Sequence, residues 1–178
     1  MPRQIALLRG INVGGHRRVP MPALRELMTG AGYGEVRTYV QSGNIVLDSD
    51  AAPTELARGL ERLIADGMGV EAEVVVRTRD ELADVIARDP FGELADDPKR
   101  YQVTFLSGEP DPGFARQIEA LDVAPERVVL SGREIFAWHP EGVQRSKLAR
   151  MLADKRLGVT ATARNWSTVT TLLAMADD

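Results

Sequence analysis

The sequence predicts an α+β protein made by tandem duplication of one βαββαβ unit, each copy followed by a helix. Three observations lead there. Apolar residues recur at period two in short runs and at helical spacing in longer ones, in the same order in both halves. The string VQSGNIVL (40–47) lies half a chain from LSGREIFA (130–137), since Ser42 and Ser131 are 89 positions apart in a chain of 178. LERLIADGMGVEAEV from Leu60 resembles LARMLADKRLGVTAT from Leu148, with one insertion.

Residues 5–9 read as a strand, and Leu24, Leu27, Met28 and Ala31 mark a helix that Gly32 and Gly34 end. Runs 36–40 and 45–48 flank Gln41-Ser42-Gly43-Asn44, a glycine-bearing hairpin turn. Leu56, Leu60, Leu63 and Ile64 mark a second helix, with Pro53 in its first turn. Val70, Ala72, Val74 and Val76 alternate with polar residues as a half-buried strand, and Asp80 caps a helix carrying Leu82, Val85 and Ile86. Residues 90–98, with Pro90, Gly92 and Pro98, form the expected linker between halves 1–89 and 99–178. The second half repeats the order: strand 101–106, a helix from Asp111-Pro112, strands 127–130 and 135–138 around Ser131-Gly132-Arg133, a helix with Leu148 and Leu152, strand 159–163, and a last helix striped by Trp166, Val169, Leu172 and Leu173.

A ferredoxin-like unit has sheet order 4-1-3-2, and the expectation here is that only strand three opposes the others. That arrangement gathers the end of strand one, the start of helix one, the strand two to three turn and the end of strand four at one edge. In the first half the edge collects Arg9, Asn12, Gly14, Gly15, His16, Arg17, Arg18, Gln41, Ser42, Asn44 and Arg77; in the second it collects 107–109, 131–133 and Arg164, Asn165 and Trp166.

Charge sharpens the first edge. The chain carries −4, yet residues 1–47 hold six arginines against Glu26 and Glu35, a local +4 that leaves −8 for the remainder. Segment 145–166 is a second basic island, with six cations against Asp154. The net charge argues against a general nucleic-acid binder, whereas two basic segments in an acidic chain point either to a local anion site or to arginines that simply solvate helix faces. Zero cysteines exclude thiolate metal sites and cysteine nucleophiles, and two histidines are too few for a multi-histidine zinc site; no metal and no cofactor are expected. No run has the length of a membrane span and the amino end has no secretion signal, so a cytoplasmic protein with no membrane partner is expected.

A strand, a glycine loop and a helix start present unpaired N–H groups and the positive end of a dipole to an anion. The loop is neither a Walker loop nor GxGxxG, so Gly10, Gly14 and Gly15 are either plain turn residues or an anion cradle flanked by Arg9, Arg17 and Arg18. Asn12 serves loop backbone or ligand, and Gln41, Ser42 and Asn44 bring hydrogen-bonding groups to the same edge. Arg145, Ser146 and Lys147 open a helix and with Arg164, Asn165 and Trp166 make a secondary anion site, although a solvated first turn and a core tryptophan explain the same residues. RNA-binding sheets of this kind use exposed aromatics on strands one and three, where this chain has Leu7, Leu8, Ile45, Val46 and Leu47. His16 is the candidate proton carrier of an enzyme, while His139, before Pro140-Glu141-Gly142, reads as a loop residue.

The strings RGINVGG (9–15), QSGN (41–44), RSKL (145–148) and ARNWSTV (163–169) resemble the hallmarks of a bacterial family known as domain of unknown function 1697. The resemblance spans the chain and implies two ferredoxin-like halves; it implies no activity. Three functions follow from the residues: a binding protein for a phosphate-bearing or other anionic ligand, nucleic acid included; an enzyme acting on a phosphorylated small metabolite; or a structural or interaction module.

Overall fold

The structure, a computed structural model, describes residues 1–12, 18–153 and 157–178. Its first half runs β1 (Arg3–Arg9), α1 (Met21–Gly30), β2 (Gly34–Tyr39), β3 (Asn44–Asp48), α2 (Pro53–Met68), β4 (Glu73–Thr78) and α3 (Arg79–Ala87). A single helical turn at Gly92–Leu94 precedes β5 (Tyr101–Leu106), α4 (Pro112–Glu119), β6 (Arg127–Ser131), β7 (Glu134–Trp138), α5 (Lys147–Leu152), β8 (Ala161–Asn165) and α6 (Trp166–Ala176). The strands form two four-stranded antiparallel sheets, ordered β2-β3-β1-β4 and β6-β7-β5-β8. The result is a mixed α+β protein consistent with a duplicated unit.

Side-chain periodicity explains where each core sits. Leu56, Leu60 and Ile64 recur every four residues on α2 and, with Leu24 and Met28 of α1, cover Ala6, Leu8, Ile45, Leu47, Val74 and Val76 on one sheet face. In the second sheet Leu106, Ile135, Ala137 and Ala161 meet Phe114, Ile118, Leu148 and Leu152. The other faces are buried as well, at Ile5, Leu7, Val46 and Val75 and at Val103, Phe105 and Phe136. One compact unit comprises 1–83 with 172–178, and the other 84–171, so their boundaries fall inside α3 and α6.

Strand direction corrects one expectation. β1 is antiparallel to both β3 and β4, with Leu7 opposite Asn44 and Gln4 opposite Thr78, so β3 and β4 run the same way. The reason lies in the connection: α2 carries the chain from β3 over β1, and a crossover of this kind returns a strand parallel to the one it left. The end of β4 therefore lies at the start of β1. Arg77 pairs with Ile5 and is buried there, away from the β1 end where it was expected. Arg164 likewise pairs with Val103 and Asn165 with Gln102, so 164–166 sit at the opposite edge of the second sheet from Ser107 and the 131–133 turn.

Register also corrects the internal alignment. Leu7 faces Asn44 as Phe105 faces Glu134, and Leu8 N–H donates to the Gly43 carbonyl (2.8 Å) as Leu106 N–H donates to that of Arg133 (2.9 Å). The structural counterpart of Asn44 is thus Glu134, rather than Arg133. Four residues, 40–43, connect β2 to β3, whereas Gly132 and Arg133 alone connect β6 to β7. Gly132, at φ 61, supplies the positive φ that a two-residue turn with glycine first requires.

Candidate functional site

The first sheet's edge is built around Asn12. It follows Gly10 (φ 71) and itself takes φ 55, a left-handed conformation that asparagine tolerates better than most residues. Its Oδ1 accepts from Val19 N–H (2.8 Å), and its Nδ2 donates to the carbonyls of Val19 (3.0 Å) and Gln41 (2.7 Å). One side chain thereby closes the β1–α1 loop and ties it to the β2–β3 turn. Asn12 serves backbone, the first of the two roles its position allowed.

The facing turn fits closely. Gly43 has φ 88, and a Cβ there would lie 2.7 Å from Leu8 Cβ and 2.9 Å from Ile11 Cδ1, so only glycine is accommodated. Asn44, fully buried, donates from Nδ2 to the Tyr39 carbonyl (3.0 Å) and to Ser42 Oγ (2.9 Å). Val40 holds φ 50 while 51% exposed, an unfavourable conformation for a β-branched side chain. Gln41, Ser42 and Arg18 are exposed. Arg9 lies 3.9 Å from Glu73, a long and partly solvated pair. Gly14, Gly15, His16 and Arg17 lie outside the described residues.

Helix α1 begins after Pro20 with Pro22 in its first turn; among the described residues no side-chain hydrogen bond caps it, and its first turn has no acidic residue. The corresponding α4 differs. Asp111 accepts from the N–H groups of Gly113 (3.1 Å) and Phe114 (3.3 Å), placing a carboxylate on the positive end of the helix.

The second set of residues is more internally engaged. Ser146 caps α5 by accepting from Ala149 N–H (3.0 Å) and donates to Glu126 Oε2 (2.6 Å). Asn165 accepts from Thr168 N–H (2.9 Å) at the start of α6. Arg164 is buried, with Nη1 on Thr162 Oγ1 (2.6 Å) and the Ala163 carbonyl (2.9 Å); desolvation brings its pKa down to about 10, so it stays cationic at neutral pH. Trp166 stacks on Tyr101, centroids 4.5 Å apart and planes 8° from parallel. Burial, seconded by a 2.6 Å hydrogen bond to Asp89, raises the Tyr101 phenol above its ordinary range. Arg145 and Lys147 remain exposed.

Some polar features gave no sequence signal. His139, at 1% exposure, has Nδ1 2.5 Å from the same Glu126 oxygen that Ser146 uses, while its buried Nε2 has no hydrogen-bond partner among the described residues. It lies outside regular structure, as its loop context suggests, but is a core residue. Arg88 caps the second hairpin, donating to the Ser131 carbonyl (3.1 Å) and Oγ (2.7 Å) and to Glu134 (2.5 Å). Neither residue type nor spacing announces these partners. Among the described residues no cluster of three His, Asp or Glu could hold a metal ion, and no helix is long and apolar enough to cross a membrane.

Two antiparallel four-stranded sheets of the same strand order, one carrying a glycine-bent, arginine-bearing edge, make an α+β protein consistent with a duplicated unit. The chain belongs to the family described as protein of unknown function DUF1697, whose model matches residues 1–136. It is similar in fold to a solved structure, the conserved bacterial protein SP0830 from Streptococcus pneumoniae, at 24% identity and a TM-score of 0.78 over 98% of each chain. No curated protein matches the chain.

Proposed function

We propose that this is a binding protein for a phosphate-bearing or similarly anionic ligand, held at the edge formed by residues 9–18, the amino end of α1 and the turn at 40–44. Each half is read as a ferredoxin-like unit, 1–89 and 99–178 joined by 90–98; support comes from the strand orders and from antiparallel pairing throughout both sheets.

The observation that carries the functional reading is the contrast between equivalent helix starts. α4 has its own carboxylate, Asp111, on its first N–H groups; α1 has no capping side chain among the described residues and no acidic residue in its first turn, and basic residues precede it in sequence. The N–H groups of a first helical turn, the helix dipole and neighbouring guanidinium groups all favour an external anion at such a place. Asn12 supports the edge by fixing the loop to the turn with its own polar atoms. Ser42 and Gln41 are the turn's exposed polar groups. In the secondary set, Arg145 and Lys147 are the exposed cations, and we rank that site below the first.

Titration of the full chain with inorganic phosphate, nucleotides and short single-stranded DNA at several salt concentrations tests the proposal. Binding that weakens with salt and falls about tenfold or more in Arg17→Glu/Arg18→Glu supports it. Equal binding by parent and variant contradicts it.

A further inference from the structure

Three arginines of the first compact unit converge on the acidic segment Met175–Asp178. Arg3 at the start of β1 donates Nη1 to the Asp178 carbonyl (3.3 Å), and Arg37 of β2 bonds the Met175 carbonyl and lies 3.5 Å from the Asp178 carboxylate. Arg79, first residue of α3, grips both oxygens of Asp177, at 2.7 and 3.1 Å. The hydrogen bond from Arg79 depresses the Asp177 pKa, so this carboxylate is ionised at neutral pH.

Charge in these pairs changes sign with the segment. Arg3 also holds Asp48 (2.7 Å) and Arg79 also holds Asp80 (3.2 Å), so three arginines face four aspartates. Without Asp177 and Asp178 the balance is three against two. Arg37 has both guanidinium partners on the segment and would be left with neither.

We propose that Arg3, Arg37 and Arg79 form a site for a compact multivalent oxyanion, and that Asp177 and Asp178 occupy it in cis. The segment presents two carboxylates and two carbonyls, an array of oxygens that a pyrophosphate-type group reproduces, and guanidinium forks accept phosphate as readily as carboxylate. The side chains of the three arginines and of Asp177 and Asp178 are 22–76% exposed, in the range where ion pairs are weak and salt-screened, so an external anion competes on accessible terms. Occupancy in cis reduces apparent affinity by the fraction of molecules in which the segment is seated.

The test uses inorganic pyrophosphate and the full chain carrying Arg17→Glu and Arg18→Glu, so that the α1 edge contributes nothing and the two proposals fail separately. By calorimetry, adding Asp177→Asn with Asp178→Asn tightens pyrophosphate binding by roughly tenfold or more, and adding Arg37→Gln to that variant removes the gain. Unchanged affinity, or a gain that survives Arg37→Gln, overturns the proposal. Hydrogen exchange on the unmutated chain gives a readout independent of how the variants fold: pyrophosphate accelerates exchange at 172–178 relative to sodium chloride of equal ionic strength. Equal exchange in the two salts overturns it as well.

Discussion

The edge beside Gly43 and the edge beside Gly132 occupy equivalent places in two sheets of the same strand order, and they are built in opposite ways. Eleven residues join β1 to α1, whereas five join β5 to α4. The long loop carries glycines and arginines in its sequence and leads to a helix start with Pro20 in the capping position; the short one delivers a start capped by Asp111. At the hairpins, Asn44 braces a four-residue turn, while Glu134 and Arg88 lock a two-residue turn with an ion pair. The second edge carries a carboxylate at both features, Asp111 at the helix start and Glu134 at the hairpin, whereas the first has Asn44 at its hairpin and no acidic residue in the first turn of α1.

The largest expected contrast is at the hairpin glycines. Gly43→Ala adds a Cβ 2.7 Å from Leu8 Cβ in a left-handed residue and should destabilise by about 3 kcal/mol, whereas Gly132→Ala, with open space around it, should cost about 1 kcal/mol. Denaturant unfolding of the two variants measures both, and equal losses would break the distinction between a packed and an open turn. Next, Arg88→Ala takes the guanidinium away from the nearly buried Glu134 carboxylate, for a loss of about 3 kcal/mol, much of it restored when Glu134→Gln is added. A double-mutant cycle checks this; purely additive losses would show that the pair does not lock the second edge. The smallest effect is at the helix starts. Asp111→Ala removes a cap worth about 1 kcal/mol, and Pro20→Asp, which supplies one to α1, should raise stability by a similar amount while weakening phosphate binding. Undiminished phosphate binding by Pro20→Asp would remove α1 from the site.

Element order, both cores and the repeat were legible because they depend on periodicity, and Leu56, Leu60 and Ile64 mark the buried face of α2 wherever it packs. Strand direction was not legible: Val74 to Arg77 are buried on both faces, so their pattern is the same whichever way β4 runs. The exact half-chain spacing of Ser42 and Ser131 concealed unequal loops, because the longer β1–α1 loop and the shorter second hairpin shift the register separately. The clamp by Asn12 was readable as one of two roles. The His139–Glu126–Ser146 cluster and the Arg88–Glu134 pair were not, since each joins residues whose proximity only the folded sheet creates.

The claim that the two edges differ in their demand for an anion is tested most directly by titrating isotopically labelled protein with inorganic phosphate and following backbone amide shifts. The account predicts saturable shifts at Asn12, Arg18, Met21, Ala23 and Gln41 through Asn44, with Gly113, Phe114 and the 131–134 hairpin unmoved. Shifts of equal size at both edges, or at the second alone, would contradict it.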